Sequence, residues 1–261
     1  RLAVDNLFHP FQPFIVGQKG LAPKVASQYG IPLIFYGENE AEYGNPVSDT
    51  ESALRDEKYF TASPTDEVLL SGVPVSELVV RYQIPPYELQ QYLPANSDFV
   101  HESAVQVHYL GYYLQWHPQS AYYYAVEHGG FEPSPERTPG TYSKYNSIDD
   151  KIDDLHYWTT YIKFGIGRAT YDAAQEIRSG DITREEGVAL VHRFDGEWPL
   201  RFESEIMDYL TVDPRLGVNV LRQFTEPVMT KQAFVALADD FRSPHLWRRD
   251  GDSWVLRHQV E

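Results

Sequence analysis

The chain contains no cysteine, which removes disulfides and thiolate metal sites from consideration. That absence fits a reducing compartment. Cations are also scarce: Lys and Arg total 22 against 38 Asp and Glu, for a formal net charge of −16. Binding a polyanion relies on clustered cations that release counterions, and the nearest such cluster is Arg248-Arg249. Nucleic acid is therefore not expected as a partner, whereas a small anion held by a few local cations is compatible with the charge. No apolar run approaches the ~20 residues a membrane helix needs, so no membrane insertion is expected. The opening RLAVDNLFHPFQPF lacks the basic region and apolar stretch of a secretory signal, and the expected location is cytoplasmic.

What is present is an ordinary globular composition, 42% hydrophobic and rich in tyrosine, over 261 residues. That length suffices for one large domain or two modest ones with a substantial core. Residues 1–128 read as an α/β region, 129–145 as a Pro/Gly/Ser-rich loop, and 146–261 as a helical region ending in a hairpin. A loop of that length inside a compact protein is usually functional or disordered.

Residues 31–36 (IPLIFY) form a short, fully apolar run of the kind that makes a parallel strand buried on both faces. It ends abruptly in Gly37-Glu38-Asn39-Glu40, and α/β proteins bind ligands at the carboxyl ends of such strands. Upstream, Phe14-Ile15-Val16 reads as a short strand leading into Gly17-Gln18-Lys19-Gly20. A helix over 21–29 follows, with Gly30 as its cap. Residues 45–104 are less patterned, with short helices expected over 75–83 and 86–93. A second strand is expected over 105–113, and His117-Pro118 opens a helix to about residue 127.

In the second half, Ser147 reads as the cap of a helix carrying Ile148, Ile152, Leu155, Thr159 and Ile162 on one face. Gly165-Ile166-Gly167 interrupts it, and a helix from Arg168 to Arg178 is closed by Gly180. Thr183 and Glu186 form a capping box for the next helix. Helices over 202–210 and 230–241 follow, then a hairpin on Asp250-Gly251.

Several groups are candidates for chemistry, each with a plainer alternative. Lys19 after Gly17-Gln18 either meets a phosphate or is an exposed turn lysine. Glu38 and Asn39 either contact a nucleotide or Mg²⁺, a hard cation that takes oxygen ligands, or start a helix; Glu42 reads as solvated. Tyr142, Ser143, Lys144 and Tyr145 either close over a substrate or pack the loop on itself. Asp149, Asp153 and His156 fall at i, i+4 and i+7, where they can serve as acid and base or simply as a solvated helix start. His156 is not expected to ligate a metal, since no second histidine lies at ligand spacing. Lys163, Gly165, Gly167 and Arg168 make a glycine corner flanked by cations, suited to an anion or to simple helix packing. Asp172 and Arg178 suggest a structural pair.

The stretches GQKGLAPKVASQYGIPLIFYGENEAEYGNP and TYSKYNSIDDKIDDLHYWTTYIKFGIGRATYDAAQEIRSGDITREEGVALVHRFDGEWP resemble the N-acetyl sugar amidotransferases, members of the PP-loop ATP pyrophosphatases. The resemblance implies a Rossmann-like (adenine nucleotide alpha hydrolase-like) parallel sheet, incomplete at its amino-terminal side, followed by a mainly helical carboxyl-terminal region. It implies ATP-dependent conversion of the acetamido group of a nucleotide-linked sugar into an acetamidino group, in bacterial surface-glycan synthesis. Adenylation turns the amide oxygen into a leaving group that ammonia can expel. ATP and Mg²⁺ are the implied cofactors, and glutaminase and cyclase-like subunits the implied ammonia source.

On that reading Gly17, Gln18, Lys19, Glu38 and Asn39 hold the nucleotide. Tyr142, Lys144, Asp149, Lys163, Gly165, Gly167 and Arg168 hold the substrate, with Lys19, Asp153 and His156 as catalytic groups. The family's Ser-Gly-Gly-x-Asp-Ser loop is absent from these 261 residues, as are its cysteine pairs. The chain therefore reads as the carboxyl-terminal part of the enzyme, and alone it is not expected to hydrolyse ATP. Two alternatives stand beside this one: a non-catalytic subunit that docks a synthetase or glutaminase, and a PP-loop ATPase acting on RNA, which the acidic balance disfavours.

Overall fold

A computed structural model describes residues 1–37, 51–63, 67–213, 215 and 223–261. Glu38, Asn39 and Glu42 lie outside the described residues.

Helix α1 (Leu2–Leu7) runs into Phe8, which adopts a left-handed conformation (φ 49°). A bulky residue pays strain there, and Phe8 is held by packing. It is fully buried, stacked on Phe234 and Phe241 at 5.0 and 5.1 Å and edge-on to Trp158 at 6.1 Å. Helix α2 (Gln12–Tyr29) follows, with Pro13 in its first turn and Gly30 (φ 65°) as its cap.

The expected strand at 14–16 and turn at 17–20 are instead the first half of α2. The reason lies in what faces it: a Cβ on Gly20 would sit 2.8 Å from the Leu93 carbonyl oxygen. The glycine permits a close helix–backbone approach rather than a loop. Pro23, inside the same helix, cannot donate to the Lys19 carbonyl four residues back. The Tyr36 hydroxyl reaches that region instead, donating to the Gln18 carbonyl at 2.9 Å and lying 3.4 Å from that of Lys19.

Tyr36 ends strand β1 (Leu33–Tyr36). The chain continues through β2 (Thr61–Ala62), β3 (Leu69–Leu70), β4 (Val73–Pro74), α3 (Val75–Val80), α4 (Pro86–Leu89), β5 (Ala95–Asn96) and α5 (Ser97–Ser103) to β6 (Gln106–Tyr109). β1 and β6 pair in parallel, Leu33 opposite Gln106 and Tyr36 opposite Tyr109. Among the described residues the strands pair two by two rather than in one continuous sheet. β1 is buried on one side only: Ile34 and Tyr36 pack on a cluster of Ala26, Phe60, Ala95, Val100, Val105 and Val107. Leu33 and Phe35 on the other face are 44% and 46% exposed, so the expectation of burial on both faces is corrected.

Helix α6 (Pro118–Gly129) leads into the loop. That segment is neither loose nor a flap. Thr138 and Thr141 are fully buried, Arg137 grips Glu197 through two 2.6 Å bonds, and Thr141 Oγ1 donates to Asp172 Oδ2 at 2.5 Å.

The helices after it are α7 (Asp153–Phe164), α8 (Arg168–Ser179), α9 (Arg184–Phe194), α10 (Glu203–Leu210) and α11 (Lys231–Ala238). α7 begins later than expected: Ser147 (φ 49°) is not its cap, and 147–152 is irregular. The Thr183–Glu186 capping box forms as expected, with the Thr183 amide donating to Glu186 Oε2 at 2.8 Å. Val4, Phe8, Leu155, Trp158, Ile162, Met207, Leu210 and Phe234 share the largest core, so α1 packs with the helical half. The hairpin β7 (Trp247–Asp250) and β8 (Ser253–Leu256) closes it, with Trp247 Nε1 donating to the Ile162 carbonyl at 2.8 Å.

Candidate functional site

Two cavities lie where the α/β part meets α7 and α8. The larger, about 620 Å³, brings Gln18 and Lys19 of α2, Tyr36 and Arg55 together with Asp149, Asp150, Asp153, His156, Tyr157 and Arg168. The smaller, about 390 Å³, is lined by Gly37, Trp116, Tyr122, Phe131, Tyr145, Asn146, Asp172 and Glu176 among others. Both fall in the size range of small-molecule sites. Arg168 lines both and forms part of the wall between them.

Three cationic residues, Lys19, Arg55 and Arg168, line the larger cavity. Arg55 is 3% exposed and its guanidinium lies 5.1 Å from the Tyr36 ring centre and 5.8 Å from that of Tyr109. Nothing in the sequence around Arg55 marked it, because its place depends on tertiary packing against these rings. Arg168 opens α8, donates from Nε to Asp172 Oδ1 at 2.7 Å and from Nη1 to the Tyr157 hydroxyl at 3.2 Å. Tyr157 in turn bonds Ser147, and Asp172 accepts from Thr141 and from Asn146 Nδ2 at 2.9 Å. The network fixes the guanidinium at the seam between the cavities.

Asp153 sits in the first turn of α7, buried at the wall of the larger cavity. Burial pushes its carboxyl up to about 6, a hydrogen bond from Ser147 opposing part of that rise. It is poised to exchange a proton near neutrality. His156, one turn further on, stacks on His9 at 4.7 Å with the rings 11° apart, and Phe11 lies 5.6 Å beyond. Burial lowers His156 to about 3 and His9 to about 4; Lys163 adds to the effect on both, and the His9 imidazole to that on His156. Both rings are neutral at physiological pH, and the His156 Nδ1 atom finds no hydrogen-bond partner among the described residues. Such a neutral ring is a weak base, so of the two acid–base candidates Asp153 is better tuned.

Of the glycine corner only Arg168 lines the cavities; Lys163, Gly165 and Gly167 line neither. Gly165 (φ 72°) caps α7, and a Cβ there would meet Leu256 at 3.2 Å. Gly167 donates its amide to Asp195 Oδ2 at 2.8 Å, and Thr170 donates to the same carboxylate from its amide and its hydroxyl. The anion that this corner receives is the protein's own side chain. Lys163 is half-buried and donates to the Leu7 carbonyl at 2.8 Å. Lys144 donates to the Pro135 carbonyl at 3.1 Å, and Tyr142 to Glu176 Oε2 at 2.9 Å. Tyr142 therefore supports the smaller cavity from behind rather than lining it. Gly17 lines neither cavity, lying against Gln91 and Tyr92. Asp172 pairs with Arg168, not with Arg178.

Of the candidates named from sequence, Gln18, Lys19, Asp149, Asp153, His156 and Arg168 thus share one cavity, although α2 and α7 are more than a hundred residues apart. Arg55, His9, Tyr157, Trp116, Tyr122 and Asp172 complete the two sites.

Residues 139–260 match the model of a family described as LPS biosynthesis protein WbpG-like, C-terminal domain. No curated protein matches the chain. The matched segment supplies Tyr145, Asp149, Asp153, His156, Arg168, Asp172 and Glu176, whereas Lys19, Tyr36, Arg55 and Trp116 lie before it. Residues 139–260 are thus similar to a WbpG-like domain of lipopolysaccharide biosynthesis, and both cavities are completed by residues outside the matched segment. No helix among the described residues is long and apolar enough to cross a membrane.

Proposed function

We propose that this chain works as part of an ATP-dependent amidotransferase that converts the acetamido group of a nucleotide-linked sugar into an acetamidino group. The amide oxygen attacks the α-phosphorus of ATP, and pyrophosphate leaves. Ammonia adds to the activated carbon, AMP departs with the former amide oxygen, and the excess protons pass to a base. Glutaminase and cyclase-like subunits supply the ammonia.

The observation that carries this reading is the convergence in one cavity of cations from α2 and α8 with a carboxyl group tuned near neutrality. Lys19, Arg55 and Arg168 suit phosphate oxygens, and a low-dielectric wall strengthens their pull on developing charge. Asp153 is the group assigned to take the proton from ammonia. His156, neutral and stacked, shapes the wall. Among the described residues no three His, Cys, Asp or Glu side chains are grouped to hold a metal ion by themselves; Mg²⁺ would be held mainly by the ATP phosphates with one or two carboxylates of the cavity.

The test is product identity in the full-length protein supplied with ATP, nucleotide sugar and ammonia. AMP and pyrophosphate, formed only when sugar and ammonia are both present, support the reading. ADP and phosphate would refute it.

A further inference from the structure

Resting on that reading, we infer that the smaller cavity is the glycosyl subsite: it holds the pyranose ring of the substrate against Trp116 and Tyr122, with Arg168 gripping the adjoining phosphate.

The lining divides by chemistry. Among the described residues the larger cavity carries three cationic residues, while Arg168 is the one cationic residue on the smaller, at the wall the two share. In place of further cations the smaller cavity has an aromatic side. Tyr122 stacks on Tyr145 at 4.4 Å with the rings 14° apart, Phe131 stands edge-on to Tyr122 at 6.1 Å, and Trp116 remains 55% exposed. Tyr122 and Tyr145 hold each other in place, whereas the Trp116 indole keeps surface for a ligand. Aromatic faces of this kind suit the C–H-rich face of a sugar.

The same cavity is lined by two carboxylates that are almost fully buried, Asp172 and Glu176, at 6% and 5% exposure. Glu176 accepts from Gln119 Nε2 at 2.8 Å and from the Tyr142 hydroxyl at 2.9 Å. A carboxylate has about four acceptor positions, so Glu176 retains capacity for further donors. Sugar hydroxyls are donors, several to a ring. Uracil, by contrast, presents one ring N–H donor and two carbonyl acceptors, which face carboxylates poorly. Gly37, at the carboxyl end of β1, lies on the same cavity with no side chain to obstruct it.

The seam gives the arrangement a direction. A glycosyl phosphate with its ring in the smaller cavity places its anionic end at Arg168, on the wall shared with the cavity where the adenylating phosphates meet Lys19 and Arg55. The ring is then held beside the cavity that carries Asp153.

The test compares two half-ligands by calorimetric titration of the full-length protein: N-acetylglucosamine 1-phosphate, with sugar and phosphate but no base, and uridine monophosphate, with base and phosphate but no acetamido sugar. Trp116→Ala should weaken the sugar phosphate roughly tenfold and leave uridine monophosphate within twofold, and Trp116→Phe should recover most of the loss. Trp116 is half exposed, so its removal leaves the fold intact, which circular dichroism checks. Equal weakening of both probes, weakening of uridine monophosphate alone, or no change in either overturns the assignment. If the Trp116-dependent binding appears but the protein forms no AMP, the subsite stands and the amidotransferase reading falls. If AMP forms with no dependence on Trp116, the reverse holds.

Discussion

The Gly167 amide donates to Asp195 Oδ2 at 2.8 Å, so a carboxylate from the end of α9 occupies the start of α8. The N-terminal end of a helix attracts negative charge, and here the protein provides its own. A Cβ on Gly167 would come within 2.6 Å of Asp195 Oδ1. Gly167→Ala should therefore destabilise the protein by about 1–3 kcal/mol through overpacking. Asp195→Ala should cost about 0.5–2 kcal/mol as a lost cap. Urea denaturation reads both. Neither should alter ligand affinity more than any loss of folded protein explains; a selective loss of affinity would make the corner a binding site after all.

Arg168 is the residue whose replacement should matter to both cavities. A hydrogen bond to a charged group contributes about 1.5–3 kcal/mol, so Arg168→Gln should weaken a sugar nucleotide roughly ten- to a hundredfold. Arg168→Lys should restore little, because the planar fork that engages Asp172 and a phosphate together is lost. Calorimetric titration of both variants measures this.

Stability should respond to pH in opposite senses at two places along α7. His9 and His156 are lowered from 6.5 to about 4 and about 3, so the stability they confer is complete above 6.5. It declines as pH falls from there towards 3, because the unfolded chain binds those protons first. Asp153 is raised from 3.8 to about 6. Its contribution is complete below 3.8 and is lost as pH rises through 6, by up to about 3 kcal/mol. Thermal melts from pH 4 to 8 should show Asp153→Asn gaining on the parent between pH 4 and 6 and keeping that gain at higher pH. His156→Phe should flatten the acid limb. Parallel curves for all three proteins would place these groups in solvent.

Some of this was legible from residues alone. Gly30 and Gly180 close their helices with positive φ, as expected, and Gly165, expected only to interrupt a helix, closes α7 in the same way. The Thr183 capping box is local chemistry, and the hairpin turns one residue later than read, on Gly251 and Asp252. Local signals survive because the atoms that satisfy them are neighbours in sequence. The misreadings have long-range causes. Gly17 and Gly20 looked like a loop, yet helix α2 runs through them against the backbone near Leu93. Ser147 looked like a cap, but its hydroxyl is engaged by Tyr157. Likewise Asp195 lies 28 positions from Gly167, and Arg55 finds its tyrosines only in the folded chain.

The tie between α1 and the helical half rests on Phe8 in a left-handed conformation. Phe8→Ala should cost about 3–5 kcal/mol, since a large buried ring leaves a cavity. Lost aromatic partners at Trp158, Phe234 and Phe241 should lower near-ultraviolet dichroism as well. Phe8→Gly, which removes the same ring but relieves the backbone strain, should recover no more than about 1 kcal/mol of that loss. A variant as stable as the parent would show that the ring does not anchor α1.

The central claim is that the acetamido oxygen is activated by adenylation beside Asp153 and Arg168, and oxygen labelling tests it most directly. The nucleotide sugar is prepared with ¹⁸O in its acetamido carbonyl and turned over by the full-length protein with ATP and ammonia, and the AMP phosphate is read by mass spectrometry. The account expects one labelled oxygen in each AMP formed with amidine product. Unlabelled AMP alongside that product would contradict it.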